Sequence, residues 1–324
     1  MIKALYDVCA PAKLNLFLHI TGRRDDGYHL IQSVFMLIDW CDTLHFELRP
    51  DGQISREDLG TALPTDDLIV RAARALQAAA GFPNGAIKGA HIGVHKQIPA
   101  EAGLGGGSSD AASTLLALNR LWQLGLPHSK LAAIGLGLGA DVPFFLYGHN
   151  AWVEGVGEKM TPVTLPDAQF MVAKPPDGVQ TATIFQHPDL KRDTPTAIIA
   201  GFAENPFGFG LNDLQSVAQG MCPGINQALA WLATVDAGVN EGLGRGVNRG
   251  SDRVLDQGLN QGLKGRMSGS GSAVFAHAPG HVSAQGNWRD NWPGNGSRAP
   301  DGFEVRLCSN LQAHPLLGWA VVDE

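Results

Sequence analysis

The chain has no long apolar run. The longest, Leu131 to Ala140, stops at Asp141 and falls far short of the roughly 20 residues a membrane-spanning helix needs. The first residues, Met1-Ile2-Lys3-Ala4, lack the apolar centre of a secretion signal. Basic runs are missing too: 24 Lys and Arg against 31 Asp and Glu give a formal charge of −7. Such a chain is a poor general binder of nucleic acid, and any anionic ligand must be held by a local site rather than by the overall field. The four cysteines, Cys9, Cys41, Cys222 and Cys308, lie far apart with no CxxC pair, so reduced thiols in a cytoplasmic protein are expected. Histidines such as His91, His95 and His128 show no metal-ligand spacing and HExxH is absent, so no protein-built metal site is expected. There is no Gly-Lys dipeptide for a Walker A loop, and neither HRD nor DFG of the protein kinases.

What is present is globular. The 324 residues are 44% hydrophobic and 17% charged, enough for one large domain or two ordinary ones with a sizeable core. Residues 13–20 alternate: Leu14, Leu16, Leu18 and Ile20 share one face, and Lys13, Asn15, Phe17 and His19 the other, as in a strand. Asp26-Gly27 signals a turn. Strand-like runs follow at 33–40, 43–49 and 88–98. A helix is expected over 66–80, with Asp66 as N-cap and Gly81 as stop, and an amphipathic helix over 109–122. Beyond Pro162–Pro166 the pattern predicts strands at Phe170–Ala173, Ser272–Ala278 and Phe303–Cys308, and helices at 181–187, 211–219 and 224–234. The interleaving predicts a second α+β layer. Residues 236–265 are rich in Gly, Asn, Arg and Asp and hold a near-repeat, Gly-Val-Asn-Glu-Gly-Leu-Gly-Arg then Gly-Val-Asn-Arg-Gly-Ser-Asp-Arg. Two copies are too few for a solenoid, and the composition reads as a mobile surface insertion.

The strongest chemical signal is Pro99-Ala-Glu-Ala-Gly103-Leu-Gly105-Gly106-Gly107-Ser108-Ser109-Asp110, running directly into a helix. Glycines let backbone approach a ligand closely, and a helix start offers unpaired N–H groups and a positive dipole end. Together these make a phosphate cradle, to which Ser108 and Ser109 add hydroxyls. Gly135-Leu-Gly137-Leu-Gly139-Ala140 fits the dinucleotide pattern GxGxxA, but it follows a helical segment rather than a strand and reads as a helix end. Asp141 sits between Ala140 and Val142-Pro143-Phe144-Phe145. A carboxylate in so apolar a context needs a partner or water. It reads either as the N-cap of the segment opening at Pro143 or as a general base or charge anchor. Lys13, preceded by Ala10-Pro11-Ala12 and followed by Asn15, reads as either a solvent-facing lysine or part of a lined site. Met267-Ser268-Gly269-Ser270-Gly271-Ser272 is a second small-residue loop before a strand.

These segments resemble the GHMP kinase superfamily. Ala10–Leu16 with Gly27-Tyr28-His29, the 99–110 loop, Gly139–Phe145 with Glu154-Gly155-Val156-Gly157-Glu158, and Met267–Ala273 carry the resemblance. It runs from about residue 5 to about 232 and resumes at about 266. It implies a two-domain α+β fold, here divided as 1–163 and 164–324, with ATP and substrate in the cleft between. It implies ATP phosphates along Pro99, Ala100, Glu101, Ala102, Gly103, Leu104, Gly105, Gly106, Gly107, Ser108 and Ser109, with Lys96 beside them. It implies Lys13 and Asp141 at the reacting hydroxyl, Lys13 keeping the carboxylate ionised. The Lys13/Asn15/Tyr28/His29 block narrows the resemblance to kinases whose substrate carries a cytidyl group. Its cytosine would stack between Tyr28 and Phe185, His29 would read the base edge, and Asn15 and Thr181 would hold the substrate. Mg²⁺ is expected with ATP, and no ligand set for it is read here. The family usually has an asparagine before the Leu-Ile of the 68–69 helix, near the adenine; here Asp66 and Asp67 precede Leu68. Homoserine and mevalonate kinases are the rivals within the superfamily, against which the aromatic clamp discriminates. A catalytically silent nucleotide-binding protein is the rival outside it, against which Lys13 and Asp141 together argue. The expected partner is a small molecule, not nucleic acid or membrane, for a monomer or weak homodimer.

Overall fold

In the computed structural model, which describes residues 2–82, 87–244, 265–278 and 299–321, the alternating segment lies within a long strand, β1 (Ala4–Arg23). It pairs antiparallel with β2 (His29–Arg49) across the Asp26-Gly27 turn. The runs at 33–40 and 43–49 are therefore one strand. The register shifts between Pro11 and Ala12, where proline has no N–H for the ladder, so the pair bulges without ending. Around β2 the sheet is completed by β3 (Ile54–Asp58), β4 (Gly89–His95), β5 (Ala151–Gly155) and β6 (Lys159–Pro162), in the order β3-β4-β2-β5-β6 with β1 on β2. Among the described strand pairs of this sheet only β3–β4 is parallel.

Helices α1 (Leu68–Ala79), α2 (Gly106–Leu121), α3 (His128–Leu136) and α4 (Val142–Tyr147) bury their apolar side chains with this sheet. From 109 to 121, α2 is buried on every face except at Arg120, as befits a helix packed against α1, α4 and β1 at once. A second sheet, ordered β10-β7-β9-β8, is built from β7 (Gln169–Lys174), β8 (Arg266–Met267), β9 (Val274–Ala278) and β10 (Glu304–Ser309). Helices α5 (Thr181–Gln186), α6 (Ile199–Glu204), α7 (Gln215–Met221) and α8 (Pro223–Gly244) lie between β7 and β8 in the chain. A further apolar cluster joins Leu14, Leu16 and Phe17 of β1 to Phe170, Val172 and Phe275 of the second sheet. That is why both faces of β1 are buried and why Lys13 faces a lined site rather than solvent. The last segment returns to the first sheet: Leu311 N–H donates to the Leu37 carbonyl at 2.9 Å, and Leu316 joins the first core.

Several expectations are corrected. Cys9 and Cys41 form a disulfide with Cα atoms 5.8 Å apart, while Cys222 and Cys308 are free and buried. The strand pairing, not the spacing of 32 residues, brings the first two together. The side chain capping α1 is Asp67, which accepts from Val70 N–H at 3.1 Å; Asp66 lies one residue outside. The helix expected from 109 begins at Gly106, so two loop glycines supply its first turn. The helix expected over 211–219 starts at 215, because residues 211–213 run beside Leu18 in backbone hydrogen bonds. Helix α8 runs on to Gly244, so residues 236–244 are helical rather than loop; the segment 245–264 lies outside the described residues. Among the described residues no helix is long and apolar enough to cross a membrane.

Candidate active site

One cavity of about 1270 Å³ is lined by residues from both halves of the chain. Every candidate residue reaches it except Ser109, which stands behind the loop, fully buried, its hydroxyl without a hydrogen-bond partner. The floor is the 99–108 loop. Gly105 is left-handed (φ 73°) at the cap of α2, so the helix's first N–H groups open onto the cavity. The loop is stitched to the second small-residue turn: Ser272 N–H donates to Glu101 O and Ala273 N–H to Ala102 O, both at 3.1 Å, and Ser268 Oγ–H donates to Gly103 O at 3.1 Å. At Gly103 the approach is so close that a Cβ would lie 2.1 Å from the Ser268 carbonyl oxygen.

Lys13 enters from β1. Its side chain is buried, its ammonium lies 3.7 Å from Asp141 Oδ2 and 5.0 Å from the centre of the Phe35 ring, and it donates to Asn15 Oδ1. Burial pushes the Lys13 ammonium below its usual value, against the pull of Asp141. Asn15 is fixed in turn: its amide donates to Ser33 Oγ at 3.0 Å, and its backbone N–H donates to Ser268 Oγ at 3.1 Å. Asp141 occupies the cap position of α4, yet its side chain bonds none of the helix N–H groups. At 35% exposure its carboxylate is the open member of the pair.

Lys96 is held differently. Its ammonium is bound by Asp42 and by Asp110 Oδ2, the latter at 2.5 Å. Asp42 also accepts from Gln97 and Ile98 N–H. Burial would lower the lysine, but the two carboxylates outweigh it and raise it; burial pushes the Asp110 carboxyl up against the pull of Lys96. Sequence reasoning missed Asp42 and the role of Asp110, although a charged residue inside the apolar stripe of a helix is a readable sign that it has a buried partner.

At the other end Tyr28 is 65% exposed, and His29 packs on Phe185 with ring centres 5.0 Å apart at 37°. Thr181 Oγ1 and Ser270 Oγ share a hydrogen bond of 2.7 Å. Two arginines that sequence reasoning passed over support this wall and the cavity edge at Asp67. Arg192 Nε donates to His29 Nε2 at 3.1 Å, and Arg56 pairs with Asp67 at 2.8 Å and with Asp58 at 2.7 Å. Asp67, paired with Arg56, thus lines the cavity. The GxGxxA segment lies at the end of α3, as its helical context predicts. Among the described residues no group of three or more His, Cys, Asp or Glu is placed to hold a metal ion.

A glycine-rich loop running into a helix start, a lysine–aspartate pair and an α+β frame in two sheets are the parts a small-molecule kinase needs. Residues 67–149 match the family described as GHMP kinases N terminal domain. A 4-diphosphocytidyl-2-C-methyl-D-erythritol kinase from Albidiferax ferrireducens is 62% identical over 322 residues, covering 99% of this chain and 98% of that protein. A crystal structure of 4-(cytidine 5'-diphospho)-2C-methyl-D-erythritol kinase, 33% identical, superposes with a TM-score of 0.63 over 84% of this chain and 90% of its own. A homoserine kinase from Cytophaga hutchinsonii reaches 0.62 at 15% identity over 97% of both chains, a likeness of fold alone. The chain belongs to the 4-diphosphocytidyl-2-C-methyl-D-erythritol kinase family.

Proposed function

We propose that the protein transfers the γ-phosphoryl group of ATP to the 2-hydroxyl of 4-diphosphocytidyl-2-C-methyl-D-erythritol, in the non-mevalonate route to isoprenoid precursors. The observation that carries the reading is one cavity with the glycine loop, Lys13 and Asp141 at one end and Tyr28, His29 and Phe185 at the other. The family membership supports it.

Phosphoryl transfer is mainly positioning and charge stabilisation. In this reading the N–H groups of the loop and of the α2 start hold the ATP phosphates. Asp141 accepts the proton of the substrate hydroxyl as the O–P bond forms and ADP leaves. Lys13, held by Asn15, neutralises charge building on the transferred group. Mg²⁺ bound with the nucleotide would spread charge over the phosphates. Such an ion keeps several waters and needs only one or two carboxylates, a demand the open Asp141 fits. The cytosine lies against Tyr28 and Phe185. The division near 163–164 and a monomer or weak homodimer complete the reading.

The test is coupled ATP turnover with the cytidyl substrate, homoserine and mevalonate in parallel. Turnover confined to the cytidyl substrate is expected; faster turnover of either other alcohol would overturn the assignment.

A further inference from the structure

Arg192 follows α5 and belongs to none of the motifs above. Its guanidinium is nevertheless wired into the base-binding wall. Nε–H donates to His29 Nε2 at 3.1 Å, and Nη2 donates to the carbonyls of Phe185 at 3.1 Å and His187 at 2.8 Å. Nη1 donates to the Leu190 carbonyl at 2.9 Å. One planar group therefore grips both the His29 ring and the backbone that carries the Phe185 ring.

A guanidinium has donors and no acceptor. A donor aimed at Nε2 requires a lone pair there, so the proton of the neutral imidazole must sit on Nδ1. No hydrogen bond occupies Nδ1 among the described residues, and His29 lines the cavity. We propose that Arg192 is a positioning residue: it locks His29 against Phe185 as the Nδ1–H tautomer, so that the wall offers a hydrogen-bond donor to a base whose edge carries acceptors, as cytosine does at O2 and N3. Burial, then the charges of Arg192 and Arg23, hold the His29 imidazole below its usual value, which keeps the ring neutral in agreement with this role. Arg rather than Lys suits the task, because the rigid fork reaches a ring nitrogen and backbone carbonyls in fixed directions. The inference rests on the reading of Tyr28, His29 and Phe185 as the base site.

Two measurements on the full-length enzyme test it. The first is the nitrogen chemical shifts of the His29 ring in the ligand-free protein. The wild type should show protonated Nδ1, and Arg192→Ala should move the ring toward the Nε2–H form. The second is steady-state kinetics. Arg192→Ala should raise KM for the cytidyl substrate about tenfold or more, the scale of a lost charged hydrogen bond, with kcat and the ATP KM within about twofold. Arg192→Lys should recover melting temperature but neither the tautomer nor KM; recovery of all three by lysine would reduce Arg192 to a structural clasp. An unchanged tautomer in Arg192→Ala overturns the proposal. So does an unchanged KM in Arg192→Ala when His29→Ala raises it, and in that case the base site stands. If neither variant moves KM, the base-site reading falls and takes the proposal with it.

Discussion

Lys13 and Lys96 line the same cavity and are shifted in opposite directions. Lys96 is clasped by two buried carboxylates and is raised; Lys13 has one partly exposed carboxylate at 3.7 Å and is lowered. We read the difference as separating a charge held for structure from one left available for chemistry. A buried cation with two anions within hydrogen-bond reach is satisfied, and its removal strands both partners. A buried cation with one loose partner keeps interaction capacity for a group that is absent in the resting protein, such as a developing charge in a transition state. His314 extends the series to no acidic partner at all, and Arg56, with two, returns it to the structural end.

The largest expected effect is at the available pair. Asp141→Asn keeps shape but removes the proton acceptor, and Lys13→Met removes the charge. Each should lower kcat by about 10²–10⁴-fold, the usual reach of general acid–base help. Melting temperature should not fall in Lys13→Met, because a poorly compensated buried ammonium is exchanged for an apolar chain of similar length. A drop in melting temperature matching the loss of rate would erase the contrast between the two lysines.

Lys96→Met should do the reverse. It leaves Asp42 and Asp110 buried without their cation, a loss of about 3–5 kcal/mol in comparable cases. Chemical denaturation should show it, and kcat per folded molecule should change far less than in Lys13→Met. A stable Lys96→Met with dead chemistry would reassign Lys96 to the reaction.

Much of this site was legible in the sequence, because its parts are local. The glycine loop, the alternation that aligns Lys13 with Asn15, and Asp141 two residues before Pro143 are all short, local patterns. What was not legible depends on chain segments meeting. Asp42 lies 54 residues from Lys96, and Ser268 lies 253 from Asn15. The Cys9–Cys41 bond required the β1–β2 register. The helix starts at Gly106 although Gly106 and Gly107 look like loop, because glycine in a first turn leaves the backbone open to close approach. The Asp66/Asp67 error was a single-residue shift of the cap, the least determined part of any helix.

Next in size is a pH effect at His314. This residue is buried, its Nδ1 accepts from Leu316 N–H at 3.1 Å and its Nε2 has no partner. Burial lowers its pKa to about 4 from 6.5. Between those values the unfolded chain binds the proton and the folded chain does not, so stability falls as pH drops through this window and levels off below it. The slope approaches about 1.4 kcal/mol per pH unit. His314→Asn keeps an acceptor for Leu316 but cannot titrate. Its melting temperature should therefore depend less on pH between 6.5 and 4 than that of the wild type. Parallel curves would mean that the return of the C-terminal segment to the first core does not hold this ring away from water.

The smallest effect is expected at Asp67→Asn, which places before helix α1 the residue type that the family resemblance leads one to expect there. Asparagine caps a helix about as well as aspartate, so the bond from Val70 N–H survives. Arg56 keeps its contact with Asp58 at 2.7 Å and donates to the carbonyls of Leu63 at 3.1 Å and Pro64 at 2.9 Å. It also retains an amide oxygen at position 67 to bond. With the cation still partnered, the change should cost under about 1 kcal/mol, the range of weakly coupled ion pairs. The ATP KM should move by no more than about threefold. Lys96 and Arg56 each hold two carboxylates, but those of Lys96 are more deeply buried, so the two sites separate depth of burial from number of partners. If Asp67→Asn destabilises the protein as much as Lys96→Met, the Arg56 cluster is equally a structural keystone and burial is not what sets the cost. A large rise in ATP KM with stability intact would instead make the carboxylate of Asp67 a nucleotide contact in its own right.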